Sequence, residues 1–132
     1  FIRTPAMPRP PSRPASSRPT ITSLRSQQRR FAEARDWPQF HTPKNLAMAL
    51  SVEAAEPLEC FQWLTPEQST QLSGRDLHAV EEEIADVLLY LLRLSDVLGI
   101  DLLEAAQRKM AVNARKYPIA RSRGSARKYS QR

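Results

Sequence analysis

Residues 80–99, VEEEIADVLLYLLRLSDVLG, decide the fold. Val80, Ile84, Val87, Leu91, Leu94 and Leu98 recur at three- and four-residue steps, the period of a helix with one buried side. Gly99 supplies the stop, because glycine adopts the left-handed conformation that ends helices. Glu83, Asp86 and Tyr90 form a second line beside the apolar stripe, while Glu81 and Glu82 lie well away from it. The apolar arc is wide for a helix in so small a chain, which predicts self-association.

Working outward, three further helices are expected and no strand. Thr22 or Ser23 caps the first, running to about Arg35 with Leu24 and Phe31 on one face. The loop DWPQFHTPKN follows, and Thr42 then caps a second helix with Pro43 at its first position. That helix runs to about Trp63 and carries Leu46, Leu50 and Phe61 on one side. TPEQSTQLSGRD reads as the loop before the helix of residues 80–98. Asp101 caps the last helix, which ends before Pro118. Short connections favour antiparallel neighbours, so the predicted class is all-α, a four-helix bundle.

Charge separates the body from its ends. Eleven of the twenty basic residues lie in residues 1–20 and 115–132, which contain no acid, and residues 21–114 hold the other nine with all fourteen acids, a balance of −5. Six of the eleven prolines fall in residues 1–19, mixed with Arg and Ser, a composition too poor in apolar side chains to offset chain entropy. The expected organisation is a disordered leader over 1–19, a helical domain over 20–118 and a disordered basic tail over 119–132. Because the chain opens on Phe1 rather than Met, it is read as processed, trimmed or fused, and its first residues are left out of the fold reading. The acid-free, Arg- and Ser-rich leader also suits organelle targeting; otherwise a cytoplasmic protein is expected, its lone Cys60 compatible with a reducing compartment. No apolar run is long enough for a membrane helix.

The stretch LSVEAAEPLECFQW, residues 50–63, contains a conflict. On a helical wheel Glu53 falls inside the stripe of Leu46, Leu50 and Phe61, with Glu56 at its edge. Glu53/Glu56 and Glu83/Asp86 are thus two acidic pairs at i,i+3 spacing, each bordering a core stripe. If the two helices pack antiparallel, four carboxylates converge, and they need a counter-charge to stay ionised. An all-oxygen donor set favours a hard cation, Mg²⁺ or alternatively Mn²⁺, which retains waters and takes phosphate oxygens. Solvated acidic faces of the same spacing are common, and EEE at 81–83 looks like one. A di-iron carboxylate bundle needs Glu-x-x-His on two helices, which His41 and His78 do not supply.

RDWPQFHTPKNLAMALSVEAAEPLECFQW, EEEIADVLLYLLRLSDVLGIDL and KMAVNARKYP together resemble the all-α nucleoside triphosphate pyrophosphohydrolases, in their short MazG-like and dCTP pyrophosphatase branch. The likeness spans about residues 24–118, in order. It implies a MazG-like bundle that cleaves a nucleoside triphosphate between its α- and β-phosphates, a deoxycytidine nucleotide being favoured, for pool sanitation. It also implies Mg²⁺ on Glu53, Glu56, Glu83 and Asp86 as the metal-binding and catalytic set, and a homodimer or homotetramer with sites formed partly between chains. Trp37, His41, Trp63 and Tyr90 resemble the family's base-binding positions. Lys109, Asn113, Lys116 and Tyr117 end the pattern as further substrate-binding candidates; Lys109 and Lys116, seven apart on nearly one face, could meet the nucleotide's phosphates, as could Lys44 and Asn45 near the start of the second helix. The bland reading of Trp63 and Tyr90 is core aromatics, and that of Lys109 and Lys116 is pairing with a helix C-terminus.

One departure is Pro57, where the family pattern has a non-proline residue directly after the second glutamate. A proline there clashes with the carbonyl four residues back, that of Glu53, and threatens the geometry of the pair. The rival readings are a nucleic-acid binder using its basic ends and a non-catalytic helical scaffold. The acidic body weighs against the first, since phosphate affinity needs a basic surface.

Overall fold

The structure is a computed structural model that describes residues 18–131, and among them every regular element is helical. The expected leader, apart from Arg18 and Pro19, lies outside the described residues. The chain divides into two compact units at Leu98/Gly99.

The first unit holds α1 (Ile21–Glu33), α2 (Pro43–Glu59), α3 (Pro66–Ser69) and α4 (Gly74–Val97). Helix α1 starts two residues earlier than its sequence suggests. Thr20 is its cap, its hydroxyl accepting from Ser23 N at 3.0 Å while Ser23 Oγ accepts from Thr20 N at 2.8 Å. Thr42 caps α2 as expected, with Pro43 at the first position. Helix α2 ends at Glu59 rather than Trp63, within one turn of Pro57, whose missing N–H cannot serve the Glu53 carbonyl.

The expected loop TPEQSTQLSGRD is partly helical. Thr65 and Gln68 form a reciprocal cap on the short α3, and Ser73 caps α4, accepting from Asp76 N at 3.1 Å. Helix α4 therefore begins at Gly74 and closes at Leu98, followed by Gly99 at φ 66°.

Helix α4 is the spine of this unit, packing against α2 and, less extensively, α1. The α2 pairing is antiparallel. His41, just before α2, meets Arg93 late in α4, whereas Cys60 and Trp63, just after α2, share a cleft with Asp76 and Ala79 at the start of α4. Leu46 on α2 and Leu92 on α4 are almost completely enclosed, each contributing about 1.5–3 kcal/mol by leaving water.

The apolar stripe of α4 divides between inside and outside. Val80 is buried, but Leu77, Ile84, Leu91 and Leu98, seven residues apart, remain 47, 57, 36 and 49 % exposed. Leu92, outside the expected stripe, is the fully enclosed residue because both α1 and α2 flank α4.

A charged cluster ties α1 to α4. Asp96 accepts from Nε and Nη2 along one edge of the Arg29 guanidinium and from Arg93 Nη1 at 3.2 Å, and Arg25 Nε stands 3.9 Å away. The Arg29 hydrogen bonds, assisted by the Arg29, Arg93 and Arg25 charges, hold Asp96 below the ordinary carboxylate range despite its burial.

The second unit holds α5 (Leu102–Lys116), capped by Asp101 as expected, and α6 (Ile119–Ser122). A 3₁₀ turn follows over Tyr129–Gln131. The basic tail is ordered enough to set the Tyr129 ring 6.1 Å from that of Tyr117, edge to face, with Lys116 Nζ 4.8 Å over it. The observed fold is thus all-α with four long helices, two short ones and a terminal 3₁₀ turn among the described residues.

Candidate active site

Glu53 and Glu56 lie one turn apart on α2, and antiparallel packing brings Glu83 of α4 against them. All three are half-buried, and each offers a carboxylate oxygen within 4.8 Å of the others. Glu83 Oε2 is buried with no hydrogen-bond partner. Buried polar oxygens are normally paired, and three carboxylates crowded this closely, one with a buried unpaired oxygen, could hold a positive charge among them.

Electrostatics agree with the geometry. Desolvation pushes Glu53 up from its ordinary value, with Glu56 and Asp86 adding repulsion. Glu83 is pushed up first by its contact with Glu56, then by desolvation and the charges of Glu56, Asp86 and Glu53. Asp86 lies outside the tight trio but close enough for its charge to bear on both. The donor set is entirely oxygen, which fits a hard divalent cation. Pro57, in the last turn of α2, does not prevent Glu53 and Glu56 from meeting Glu83.

The aromatic candidates separate into two places. Trp37 and His41 are neighbours with ring centroids 6.0 Å apart, and Phe31 meets Trp37 at 5.7 Å, all in edge-to-face geometry. Trp63 instead borders a cleft of about 230 Å³ with Glu59, Cys60, Leu64, Asp76 and Ala79, and is 87 % exposed. Helix α2 separates His41 from Trp63, and its 17 residues span about 25 Å, so one base cannot touch both within a chain. Tyr90 is half-buried on α4, one turn beyond Asp86.

His41 has a partner its sequence does not announce. Arg93 Nε donates to His41 Nδ1 at 2.9 Å, which leaves the proton of a neutral imidazole on Nε2. Desolvation and the Arg93 charge push the His41 pKa down. Asn45 is committed to the turn before α2, donating from Nδ2 to Phe40 O at 3.0 Å, while Lys44 is exposed. In the second unit Lys109 is exposed, Asn113 half-buried, and Lys116 and Tyr117 are met by Tyr129.

Residues 48–131, which carry both acidic pairs, match the model of the MazG-like family. The chain belongs to that family. Among curated proteins it is 44 % identical over 117 residues to dCTP pyrophosphatase 1 of Bos taurus, covering 87 % of this chain and 69 % of that protein. Against the Homo sapiens protein of the same name the identity is 43 % over 118 residues, covering 88 % and 69 %. Among solved structures it resembles a pyrophosphatase from Archaeoglobus fulgidus at 48 % identity and a TM-score of 0.70, covering 74 % of this chain and 92 % of that one. A MazG-like family member with clustered half-buried carboxylates confirms the all-α nucleotide-hydrolase class expected from its motifs.

Proposed function

We propose that this chain is a Mg²⁺-dependent nucleoside triphosphate pyrophosphohydrolase that converts dCTP, or a related or modified pyrimidine deoxynucleotide, to the monophosphate and diphosphate. Its biological service would be sanitation of the nucleotide pool. The observation that carries the reading is the unpartnered, buried Glu83 Oε2 beside Glu53 and Glu56, in a chain more than 40 % identical to two dCTP pyrophosphatases.

Glu53, Glu56 and Glu83 would hold the cation, with Asp86 completing the set from one turn further along α4. When bound, Mg²⁺ offsets phosphate charge and lowers the pKa of a coordinated water, with Mn²⁺ the alternative ion. Glu53 accepts the proton of the attacking water, being the carboxylate whose place inside the apolar stripe of α2 is the least explained by solvation. The water oxygen ends on phosphorus, the α–β bridging P–O bond breaks, and the leaving oxygen stays with the other product. Trp37, His41 and Tyr90 would position the base from one side. Trp63 would serve the base held in the site of a second chain. Lys44, Asn45, Lys109, Asn113, Lys116 and Tyr117 would supply phosphate contacts.

The working form would be a homodimer or homotetramer. The exposed seven-residue series Leu77, Ile84, Leu91 and Leu98 supports this, being the periodicity of a helix seam that packs on another helix. Among the described residues no helix is long and apolar enough to cross a membrane. The proposed compartment is the cytoplasm.

Product analysis on a dNTP panel, with Mg²⁺ and with a chelator, tests the reading. Metal-dependent dCMP and diphosphate are expected; orthophosphate, or turnover unaffected by chelation, would overturn it.

A further inference from the structure

The second unit gathers positive charge at one end. Nine basic residues follow Glu104 and no acid does within residues 105–132. Glu104 itself is held by Arg108, one turn along α5, and Asp101 caps the start of that helix. The C-terminus of a helix attracts cations, which accounts for Arg115 and Lys116 in the last turn of α5. That attraction amounts to about half a unit charge and fades within a turn. It leaves Arg121, Arg123, Arg127 and Lys128 unexplained.

Those residues do not lead straight away from the helix. Pro118 follows the end of α5, α6 carries the chain through Ser122, and Gly124 at φ 71° turns it. Tyr129 then returns to the end of α5. Its ring meets that of Tyr117 edge to face at 6.1 Å, and Lys116 Nζ lies 4.8 Å from its centroid. Lys128 is one peptide away, its Cα about 3.8 Å from that of Tyr129. Arg115, Arg123 and Lys128 are exposed, whereas Lys116 is half-buried. Among the described residues none of these four is paired with a carboxylate.

Bringing like charges together costs free energy, and an anion shared among them offsets that cost. The Tyr129 ring holds the Lys116 ammonium through one face, which leaves N–H groups on the far side to donate. The ligand that fits is a short run of phosphate oxyanions, which several ammonium and guanidinium groups contact at once.

We propose that the tail folded back on α5 is a strap for the substrate's phosphates, in which Lys128 supplies a phosphate contact and Tyr129 is the positioning residue for Lys116. This deepens the pyrophosphohydrolase reading and rests on it, since that reading already gives Lys116 a phosphate contact. Lys128 and Tyr129 are the new assignments.

The first test reads binding without turnover. In chelated protein the acidic cluster holds no cation and repels an anion, so titration with inorganic diphosphate, followed by NMR, reports the basic end. The Lys116 side chain and the Tyr129 ring should shift, and the Kd should weaken as salt is added. Tyr129→Ala leaves the charge unaltered and should weaken the Kd read at Lys116 about two- to fivefold, as should Lys128→Met. Tyr129→Phe keeps the ring and should bind like the unaltered protein. No shift on diphosphate, an unchanged Kd in Tyr129→Ala or Lys128→Met, or equal weakening in Tyr129→Phe overturns the proposal. A response to a single-stranded oligonucleotide but not to diphosphate would mark a nucleic-acid surface and overturn it as well.

The second test uses turnover of dCTP with Mg²⁺. Tyr129→Ala and Lys128→Met should each raise KM about two- to fivefold and leave kcat within about twofold, the pattern of a contact kept from ground state to transition state. Unchanged KM, or a loss confined to kcat, removes the strap from substrate binding and overturns the proposal while leaving the hydrolase reading intact. Failure of the unaltered protein to cleave any nucleotide sinks that reading instead, and the diphosphate titration still decides whether the strap binds phosphates.

Discussion

Arg93 donates to His41 Nδ1 across 2.9 Å and, through Nη1, to Asp96 across 3.2 Å, so one guanidinium joins the turn before α2 to the end of α4. Both Arg93 and Asp96 are largely removed from water. Paired guanidinium and carboxylate groups in such a position fix geometry more surely than they add stability.

The pair makes the histidine's titration a readout of packing. His41 is pushed down by desolvation and by Arg93, so the folded state binds its proton less well than the unfolded chain. Its stabilising effect is complete above the unfolded value, near 6.5, and is lost as pH falls from there toward the folded value. Asp96, also pushed down, acts in the same direction at lower pH: its contribution is present above about 3.9 and disappears as pH falls through the folded value. NMR titration of Arg93→Met should show the His41 midpoint moving back toward 6.5 and the Nδ1 resonance losing its acceptor character. An unmoved midpoint would mean that Arg93 does not govern the imidazole.

The acidic cluster predicts the opposite sign. Glu53 and Glu83 are pushed up, so their contribution in the metal-free protein is complete below the unfolded value, about 4.3, and is lost as pH rises through the raised values. Chelated protein at neutral pH should therefore gain thermal stability from Glu83→Gln, which removes one of the crowded charges. Added Mg²⁺ should raise the Tm of the unaltered protein by mass action and have little effect on the variant. An equal Mg²⁺ response in both would remove Glu83 from the ligand set.

Turnover should follow the same residues. Glu53→Gln keeps the size of the side chain but not its basicity, and a lost general base costs at least about a hundredfold in kcat. Helical circular dichroism should be unchanged, because Glu53 is only half-buried and makes no hydrogen bond that holds α2 to α4. Wild-type kcat in this variant would defeat the assignment.

These sites differ in how far they could be read from the sequence. Glu53, Glu56 and Glu83 were legible because i,i+3 spacing on a helix is local and their conflict with the apolar stripe is visible on a wheel. The caps Thr42 and Asp101 were legible for the same reason. The Asp96 cluster was not, since nothing in either helix alone says that Arg25 and Arg29 of α1 will face it. Gln28 was equally silent, because an unpaired amide oxygen exists only once α1 lies on α4. The burial of Leu92 depends on helices on two sides of α4, while the stripe that periodicity favoured has part of its length facing outward. Thr65 with Gln68 did carry a capping signal for α3, a helix too short to show periodicity.

The outward part of α4 supports the last prediction. Leu77, Ile84, Leu91 and Leu98 are too exposed for their loss to unfold the chain, whereas Leu92 is enclosed. Leu92→Ala should therefore cost about 2–5 kcal/mol in denaturant unfolding, the range for a buried leucine truncated to alanine. Leu91→Glu should instead leave the helical signal in place and shift the mass measured by light scattering from oligomer to monomer, because a charge in a helix seam is expensive only when the seam is closed. If nucleotide contacts come partly from a second chain, turnover should fall with the loss of mass and recover at high protein concentration. A Leu91→Glu protein of unchanged mass would show that this face of α4 is solvated.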